Sequence, residues 1–258
     1  MEKNRAFLFG DAVSVYFFVR DGKLILAEEC YFFLMASMRK MRMHIPLTFT
    51  LEYFTEILEK KISEQQLNNA SVHFLVYRQE TPVALTKSPV QFFIDCKENG
   101  DILEIKRNIE VDLLKEISVN TTLLNHILTH CPENIYAEIY AKDNDLDELL
   151  LLNPQKRIAR GIFGNFLFLE NNTIRIPKQS EGAYISPLME NLVTFIHKNR
   201  LAEIEQAEMS PFESQKAEEI LLVSDRKGLF SVSKIRNKTF ENTQFQEMVS
   251  KWRESFNL

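Results

Sequence analysis

The sequence is poor in the residues that make a chain flexible. Only 7 glycines and 8 prolines occur among 258 residues, which argues against long linkers, collagen-like repeats and disorder. No uninterrupted apolar run approaches the roughly 18 residues that a membrane-spanning helix needs, so we expect no membrane span. The stretch MEKNRAFLFGD at the start lacks the apolar core of a signal peptide. Together these scarcities predict a folded protein of the reducing cytoplasm.

Cysteine and excess charge are scarce as well. Cys30, Cys96 and Cys131 are odd in number and widely spaced, which fits neither a disulfide framework nor a metal-ligand pair. The 31 basic and 36 acidic residues are well mixed, so nucleic acid and anionic membranes are not expected partners. His126 and His130 have a spacing that could chelate a metal. No acidic segment adjoins them, which favours an ordinary helix surface, and no metal site is expected.

What the sequence does contain is typical of a globular protein. It is 45% hydrophobic and 26% charged, and its length fits one large domain or two smaller ones that share an interface. Phenylalanine is abundant, with 20 copies against 1 tryptophan. Phenylalanine fills buried space without needing a polar partner, so we favour a filling role over the alternative of a pocket for an apolar ligand.

Local patterns predict an α+β chain with the following elements. Strands are expected at RAFLFG, at AVSVYFFVRDGKLILAEE with a turn at Asp21-Gly22, at SVHFLVYRQE, at SPVQFFIDCKENGDILEIKRN with a turn at Asn99-Gly100, at DELLLLN, within NPQKRIARGIFGNFLFLENNTIRIP, and at AEEILLVSDRKGLFSVSKI. Helices are expected at EECYFFLMASMRKMRM, at LTFTLEYFTEILEKKI, at about residues 121–131 and 135–142, at ISPLMENLVTFIHKN and at NTQFQEMVSKWRESF. The pattern changes at about residues 111–118. We place a linker there, between an N-terminal α+β domain over residues 1–113 and a C-terminal α+β domain over residues 119–258.

Four phrases occur in an order and spacing that carry a family resemblance. They are FLFGDAVSVYFFVRDGKLILAEE, DELLLLN followed by ARGIFGNFLFL, IPKQSEGAYISPLMENLV and AEEILLVSDRKGLFSV. The chain resembles the class IV aminotransferases, pyridoxal-phosphate enzymes of fold type IV that include branched-chain and D-amino acid aminotransferases and 4-amino-4-deoxychorismate lyases. The resemblance implies a two-domain α+β fold and a homodimer with the site near the subunit interface.

The resemblance also shows where this chain departs from the chemistry of the family. That chemistry needs a lysine that forms a Schiff base with the cofactor and moves protons at the substrate. The matching position is Asn120, whose amide nitrogen is not basic and cannot form the imine. Lys115 could replace it if the register slips, although its surroundings are typical of a linker. Lys87 is a further alternative, although its surroundings are typical of a loop.

The position of the ring-nitrogen partner departs as well. The family uses a glutamate shortly before a phrase that appears here as GNFLF, and the matching residue is Arg160. A guanidinium repels the proton that a carboxylate would hold on the ring nitrogen. Arginine at this nitrogen occurs in other cofactor-dependent folds, so Arg160 alone does not exclude catalysis. If the cofactor is lost, we expect Arg160 to point away from the old ring position or to pair with a carboxylate.

The phosphate-binding positions are altered too. The histidine and arginine that the family carries on a first-domain helix correspond to Cys30 and Phe33. The Gly-Ile-Thr of the family corresponds to Ser186, Pro187 and Leu188, of which Pro187 has no N–H and Leu188 no hydroxyl. Only Ser224 keeps a hydroxyl where the family often has threonine. A phenylalanine in place of the arginine leaves the phosphate without a charged partner.

These losses together predict a degenerate member of the family. We expect a protein that binds no cofactor, is catalytically inactive and is kept for a binding or assembly role, with a small-molecule ligand possible in the interdomain cleft. The alternative is an active pyridoxal-phosphate-dependent transaminase or lyase that uses an unrecognised lysine. A third hypothesis is a binding module that uses no cofactor.

Overall fold

The computed structural model describes residues 4–79, 83, 85, 87–121, 127 and 131–256. The chain forms two compact units. The first contains the described residues up to Ile102 together with Ile127, and the second contains those from Leu103 to Thr121 and from Cys131 onward. The helix predicted at about residues 121–131 falls almost wholly outside the described residues, as do His126 and His130.

The first unit is an antiparallel sheet with two long helices. The described strands pair in the order β2-β1-β3-β4, and α2 contacts β1 while α3 contacts β2. Phe17 on β1, Phe54 on α3 and Phe74 on β3 are all fully buried and form an aromatic core. The elements are α1 Arg5–Phe9, β1 Ala12–Arg20, β2 Lys23–Ile25, α2 Ala27–Lys40, α3 Leu51–Gln65, β3 Ala70–Arg78 and β4 Val90–Glu98.

The segment RAFLF, predicted as a strand, is the short helix α1. Its two ends explain the difference. The side chain of Asn4 accepts the N–H of Phe7 at 2.9 Å, and Gly10 ends the helix with a left-handed φ of 63°. Capping at both ends therefore outweighs the apolar run, which is left largely exposed: Phe7 is 65% and Phe9 64% exposed.

Two other predictions for the first unit have clear outcomes. The turn at Asp21-Gly22 is confirmed, with φ values of 50° and 74° that suit a tight hairpin. The helix predicted from Leu47 begins later, at Leu51. Thr50 sets this start, because its hydroxyl accepts the N–H of Tyr53 at 3.3 Å, and Leu47 is left 99% exposed.

The second unit is built on a larger mixed sheet. In the described part, eight strands follow one another in the order β10-β9-β8-β11-β12-β5-β6-β7, and β13 pairs with β12. The pairs β10–β9, β12–β5 and β5–β6 are parallel and the others antiparallel. The elements are β5 Ile105–Leu114, α4 Pro132–Asp143, β6 Glu148–Leu152, β7 Ile158–Arg160, β8 Asn165–Glu170, β9 Thr173–Pro177, α5 Pro187–Lys198, β10 Glu203–Ala207, β11 Glu219–Ser224, β12 Gly228–Ile235, β13 Lys238–Thr239 and α6 Thr243–Glu254.

Strand β6 explains why this sheet is stable. Leu150 packs into one apolar cluster with β8 and β11, while Leu149 packs into another with Ala137 and Ala141 of α4. Successive side chains of a strand point to opposite faces, so a run such as ELLLL is buried on both sides of the sheet. The prediction of a buried strand at DELLLLN is therefore confirmed.

Strand β5 was assigned from the sequence to the N-terminal half, but it lies in the second sheet. It pairs in parallel with β12 and β6. Val111 to Leu114, the start of the predicted linker, pair in register with Glu148 to Leu151. The units therefore divide at Ile102, upstream of the predicted linker. A prediction from local sequence pairs a strand with the strand before it, across the turn that joins them. The partners of a parallel strand lie far away in sequence and are not visible in this way.

Two features are absent from the described residues. None of their helices is both long and apolar enough to cross a membrane. No group of three or more of their histidine, cysteine and acidic side chains is placed to hold a metal ion.

Candidate functional site

The connection between β7 and β8 lies tightly against β11. The N–H of Gly161 donates to the carbonyl of Gly164 at 2.7 Å. A Cβ atom at Gly164 would lie 2.4 Å from the carbonyl oxygen of Val223, so only glycine fits there. This contact fixes the backbone between Arg160, which precedes the connection, and Phe163, which lies within it.

Arg160 is buried, with 1% of its surface exposed. Its Nη1 donates to Asn134 Oδ1 at 2.8 Å and to the carbonyl of Gly161 at 3.1 Å. Its Nη2 lies 3.6 Å from Cys131 Sγ, and its guanidinium carbon lies 4.3 Å from the centre of the Tyr184 ring. An amide, a carbonyl, a thiol and a ring face therefore surround the cation.

Within the described part of the chain, no carboxylate lies at ion-pair distance from Arg160, and its Nε is buried without a hydrogen-bond partner. Of the two arrangements expected for Arg160, pairing with a carboxylate therefore does not occur there. A guanidinium is weakly hydrated and is attracted to an aromatic face, so neutral groups can hold it. They do so without cancelling its charge.

The neighbours of Arg160 stay neutral near physiological pH. Tyr184 accepts from Asn134 Nδ2 at 2.7 Å and donates to the carbonyl of Ile162 at 3.1 Å. Burial raises the pKa of Tyr184 to about 12, against the opposing charge of Arg160. Burial also raises the pKa of the Cys131 thiol, again against Arg160. Neither group supplies a negative charge at neutral pH.

A second group of polar residues lies at the turn between β11 and β12. Ser224 Oγ donates to the carbonyl of Phe163 at 2.6 Å and accepts the N–H of Lys227 at 3.1 Å. Lys227 Nζ lies 3.5 Å from the buried Glu148 and 5.2 Å from the centre of the Phe163 ring. Arg226 lies over the same ring at 4.1 Å. The hydroxyl of Ser224 is therefore used within the protein.

The amino end of α5 holds an internal carboxylate. Ser186 precedes the helix, and its Oγ accepts the N–H of Met189 at 3.1 Å. The same hydroxyl donates to Asp225 Oδ1 at 2.7 Å, and the N–H of Leu188 reaches that oxygen at 3.3 Å. Pro187 has no N–H to offer. The chain thus places its own anion where the amino end of a helix attracts one.

Asp225 is held with little other compensation. Its pKa is raised to about 7, mainly by burial and also by the charge of Glu190, while the bonds from Ser186 and Leu188 oppose the shift. Burial also raises the pKa of Glu190. No cation of the described chain lies at ion-pair distance from Asp225. The donors of α5 are therefore the main partners of this carboxylate.

The remaining predicted positions are placed as follows. Asn120 and Lys115 are exposed in the second unit, and Lys87 is exposed in the first unit. Phe33 is half-buried on α2, where its carbonyl accepts the hydroxyl of Ser37 at 2.8 Å. Cys30, on the same helix, is buried.

The structure brings together only part of the predicted set. Ser186 and Leu188 meet through Asp225, which directly follows Ser224 in the chain. Phe33 belongs to the first unit. Asp225, Asn134 and Tyr184 were missed from the sequence. A signal existed for Asp225, because a charged residue that directly follows an all-buried strand needs partners.

A comparison with protein families decides the identity of the fold. Residues 14–235 match the family described as amino-transferase class IV. The chain belongs to the class IV aminotransferase family. The α+β, fold-type-IV prediction is therefore confirmed. No curated protein matches the chain.

Solved class IV aminotransferase structures share the fold at low sequence identity. A candidate 4-amino-4-deoxychorismate lyase from Legionella pneumophila is 16% identical with a TM-score of 0.85, over 98% of this chain and 92% of that one. The pyridoxal-phosphate form of the Thermobaculum terrenum branched-chain aminotransferase is 16% identical, with a TM-score of 0.85 over 98% and 87%. The Thermoproteus uzoniensis branched-chain aminotransferase, with norvaline, is 13% identical, with a TM-score of 0.85 over 97% and 87%.

The residues at the positions that the family resemblance assigns to the phosphate do not fit pyridoxal phosphate. The hydroxyls of Ser186 and Ser224 both donate to acceptors of the chain itself. A phosphate at the amino end of α5 would also lie against the carboxylate of Asp225. Two anions at this distance repel each other strongly where water is scarce.

Proposed function

We propose that this protein keeps the class IV aminotransferase fold, has lost pyridoxal phosphate and the catalysis that depends on it, and acts in binding or assembly. One observation carries the proposal. The donors that a phosphate would need, Ser186 Oγ, Leu188 N–H and Ser224 Oγ, already bond to acceptors of the chain. Asn120 at the lysine position and Arg160 at the ring-nitrogen position support the same conclusion, because neither can perform the role of the family residue.

The test is a titration of the purified protein with pyridoxal phosphate. We expect no absorbance near roughly 410–430 nm, the signature of an imine between this cofactor and a lysine. Borohydride reduction and peptide mapping follow, because an imine leaves a stable adduct on its lysine. A matched sample in urea reports the background reaction of surface lysines.

A defined result would contradict the loss of the cofactor. One lysine that is modified stoichiometrically in the folded sample, and only at the background level in urea, would show an active site. Lys115 and Lys87 are the candidates that the sequence offers, and a labelled residue at either position would restore the alternative of a working transaminase or lyase.

We also propose that the protein forms a homodimer. Helix α4 supports this, because Ile135, Tyr136 and Ile139 are exposed on one side of it, at 51%, 43% and 55%. Light scattering should give twice the chain mass of 30.2 kDa. The Ile139→Glu variant should lower that mass, while Glu138→Gln on the same helix should not. A wild-type monomer across a wide concentration range would contradict the proposal.

A further inference from the structure

Helices α5 and α6 of the second unit each have a carboxylate at their amino end. The two carboxylates have different roles. Glu219, on β11, accepts the N–H of Gln244 and of Phe245, each at 2.9 Å. Asn242, the residue before α6, makes no capping bond with its side chain. Glu219 therefore supplies a cap that α6 otherwise lacks.

Helix α5 does not need such a cap. Ser186 already fulfils that function, because its hydroxyl accepts the N–H of Met189. The carboxylate of Asp225 is therefore not required as a cap. It accepts the two donors that remain at this helix end, the hydroxyl proton of Ser186 and the N–H of Leu188. We call the place defined by these two donors the oxyanion position.

The charges around Asp225 show what offsets its burial. On α5, the nearest charge is Glu190, which has the same sign and raises the pKa of Asp225. On the β11–β12 turn, Arg226 lies on the ring of Phe163, and Lys227 pairs with Glu148. The positive end of α5 is therefore what stabilises the ionised Asp225.

We propose that Asp225 is an internal anion that fills the oxyanion position of α5 and thereby keeps phosphate and other tetrahedral oxyanions out of the second unit. This deepens the proposed function and rests on it, because it assigns the exclusion of phosphate to one side chain. An external oxyanion would need both donors that Asp225 holds, and it would place a second negative charge beside the carboxylate.

Sulfate is the probe of choice, because it stays a dianion over the pH range in which phosphate and Asp225 titrate. The Asp225→Ala variant removes both the charge and the bulk of the side chain. We expect it to bind sulfate at least about tenfold more tightly than the wild type does. Calorimetry gives the affinity directly. The thermal midpoint should rise more with sulfate in the variant than in the wild type, when sodium chloride keeps the ionic strength constant, because sulfate also stabilises folded proteins without occupying a site.

Two further variants locate the bound ion and separate charge from volume. Ser186→Ala in the Asp225→Ala background should abolish the gain, because it removes one of the two donors. Asp225→Asn keeps the volume and loses the charge, so we expect a gain smaller than that of alanine but above the wild type. Asp143→Ala, an exposed position on α4, is the charge-matched control and should bind sulfate as the wild type does.

The outcomes are decisive in each case. A folded Asp225→Ala protein with the sulfate affinity of the wild type, or a gain that survives Ser186→Ala, would overturn the proposal. If the alanine variant does not fold, Asp225→Asn decides, and an affinity equal to that of the wild type would count against it. Failure of the proposed function has a different signature, a stoichiometric pyridoxal-phosphate imine on the wild-type protein.

Discussion

The second unit holds two charges of opposite sign, the buried Arg160 and the half-buried Asp225, and each lacks an ionic partner among the described residues. Arg160 is held by an amide, a carbonyl and a ring face. Asp225 is held by a hydroxyl and the N–H of a helix end. The family resemblance places Arg160 at the ring-nitrogen position of a cofactor site, and it places Ser224, which Asp225 follows in the chain, at a phosphate position. The difference teaches that the chain can hold a charge without an ion pair in two ways, with neutral dipoles or with a helix dipole.

Removing the guanidinium of Arg160 should have the largest effect on stability. Arg160→Ala leaves Asn134 Oδ1 without its donor and opens a cavity, so we expect a loss of about 2–4 kcal/mol in the free energy of unfolding. Urea unfolding measures it. The control is Arg107→Ala, where an exposed guanidinium pairs with Asp147 and the loss should be about 0–1 kcal/mol. Equal losses in the two variants would mean that the neutral partners of Arg160 contribute little.

Neutralising the anion should change stability in a pH-dependent way. The pKa of Asp225 in the folded protein is about 7, against an ordinary value of 3.8, so the folded state binds its proton more tightly than the unfolded chain does. Its contribution to stability is therefore greatest below about pH 4 and is lost as the pH rises through about 7. Relative to the wild type, Asp225→Asn should gain about 1–2 kcal/mol between pH 5 and pH 8, a value reduced for partial solvent access.

Unfolding at the two pH values tests this expectation. Asp143→Asn, exposed on α4, should show no such trend relative to the wild type. The free energy of unfolding of Asp225→Asn and that of the wild type could also differ by the same amount at pH 5 and pH 8. That result would mean that the helix end fully compensates the carboxylate.

The neutral network around Arg160 should give a smaller effect. Tyr184→Phe removes a hydroxyl that bonds to Asn134 and Ile162, and we expect a loss of about 1–1.5 kcal/mol. Because the pKa of Tyr184 is about 12, the loss should be the same at pH 6 and pH 9. Tyr53→Phe is the control, since its hydroxyl makes no hydrogen bond in the described part of the chain. If Tyr184→Phe loses no more free energy of unfolding than Tyr53→Phe does, the hydrogen bonds of Tyr184 do not stabilise the protein.

The smallest expected effect is that of restoring a lysine. Asn120→Lys, saturated with pyridoxal phosphate and assayed for half-transamination with a panel of amino acids, should give neither an imine nor turnover. The donors at Ser186 and Ser224 remain occupied, and Asp225 still repels the phosphate. Robust imine formation would show that the lysine alone was missing and that Asp225 does not exclude the cofactor.

The sequence predicted the elements around these charges better than the contacts that hold them. Strands β11 and β12 and helix α5 were recognised, because alternating and helical apolar patterns are local properties. Helix α1 was mistaken for a strand, because five apolar-rich residues do not distinguish the two. Strand β10 was missed, since its sequence EIEQA is mostly polar and mostly exposed.

The candidate site shows the same limit. Family phrases identified Arg160, Ser186 and Leu188 as the altered positions. The bond between Ser186 and Asp225 joins residues 39 positions apart, and no periodicity encodes such a meeting. The need of Asp225 for a partner could be inferred from its place after a buried strand, but the identity of that partner comes from the packing of α5 on β11.

The position of β5 in its sheet also shapes how the chain is made. All strands of the first sheet have been synthesised once β4 emerges from the ribosome, whereas β5 meets β12 across 124 residues, as in the bond between Ser233 and Ile109. At typical rates of synthesis, roughly 6–25 seconds separate the two strands. During that interval one edge of β5 stays open to pairing with other chains, so we expect nascent protein to need chaperone protection there. Proteolysis of ribosome-stalled chains of increasing length should show β5 becoming resistant only after Ile235 has left the exit tunnel.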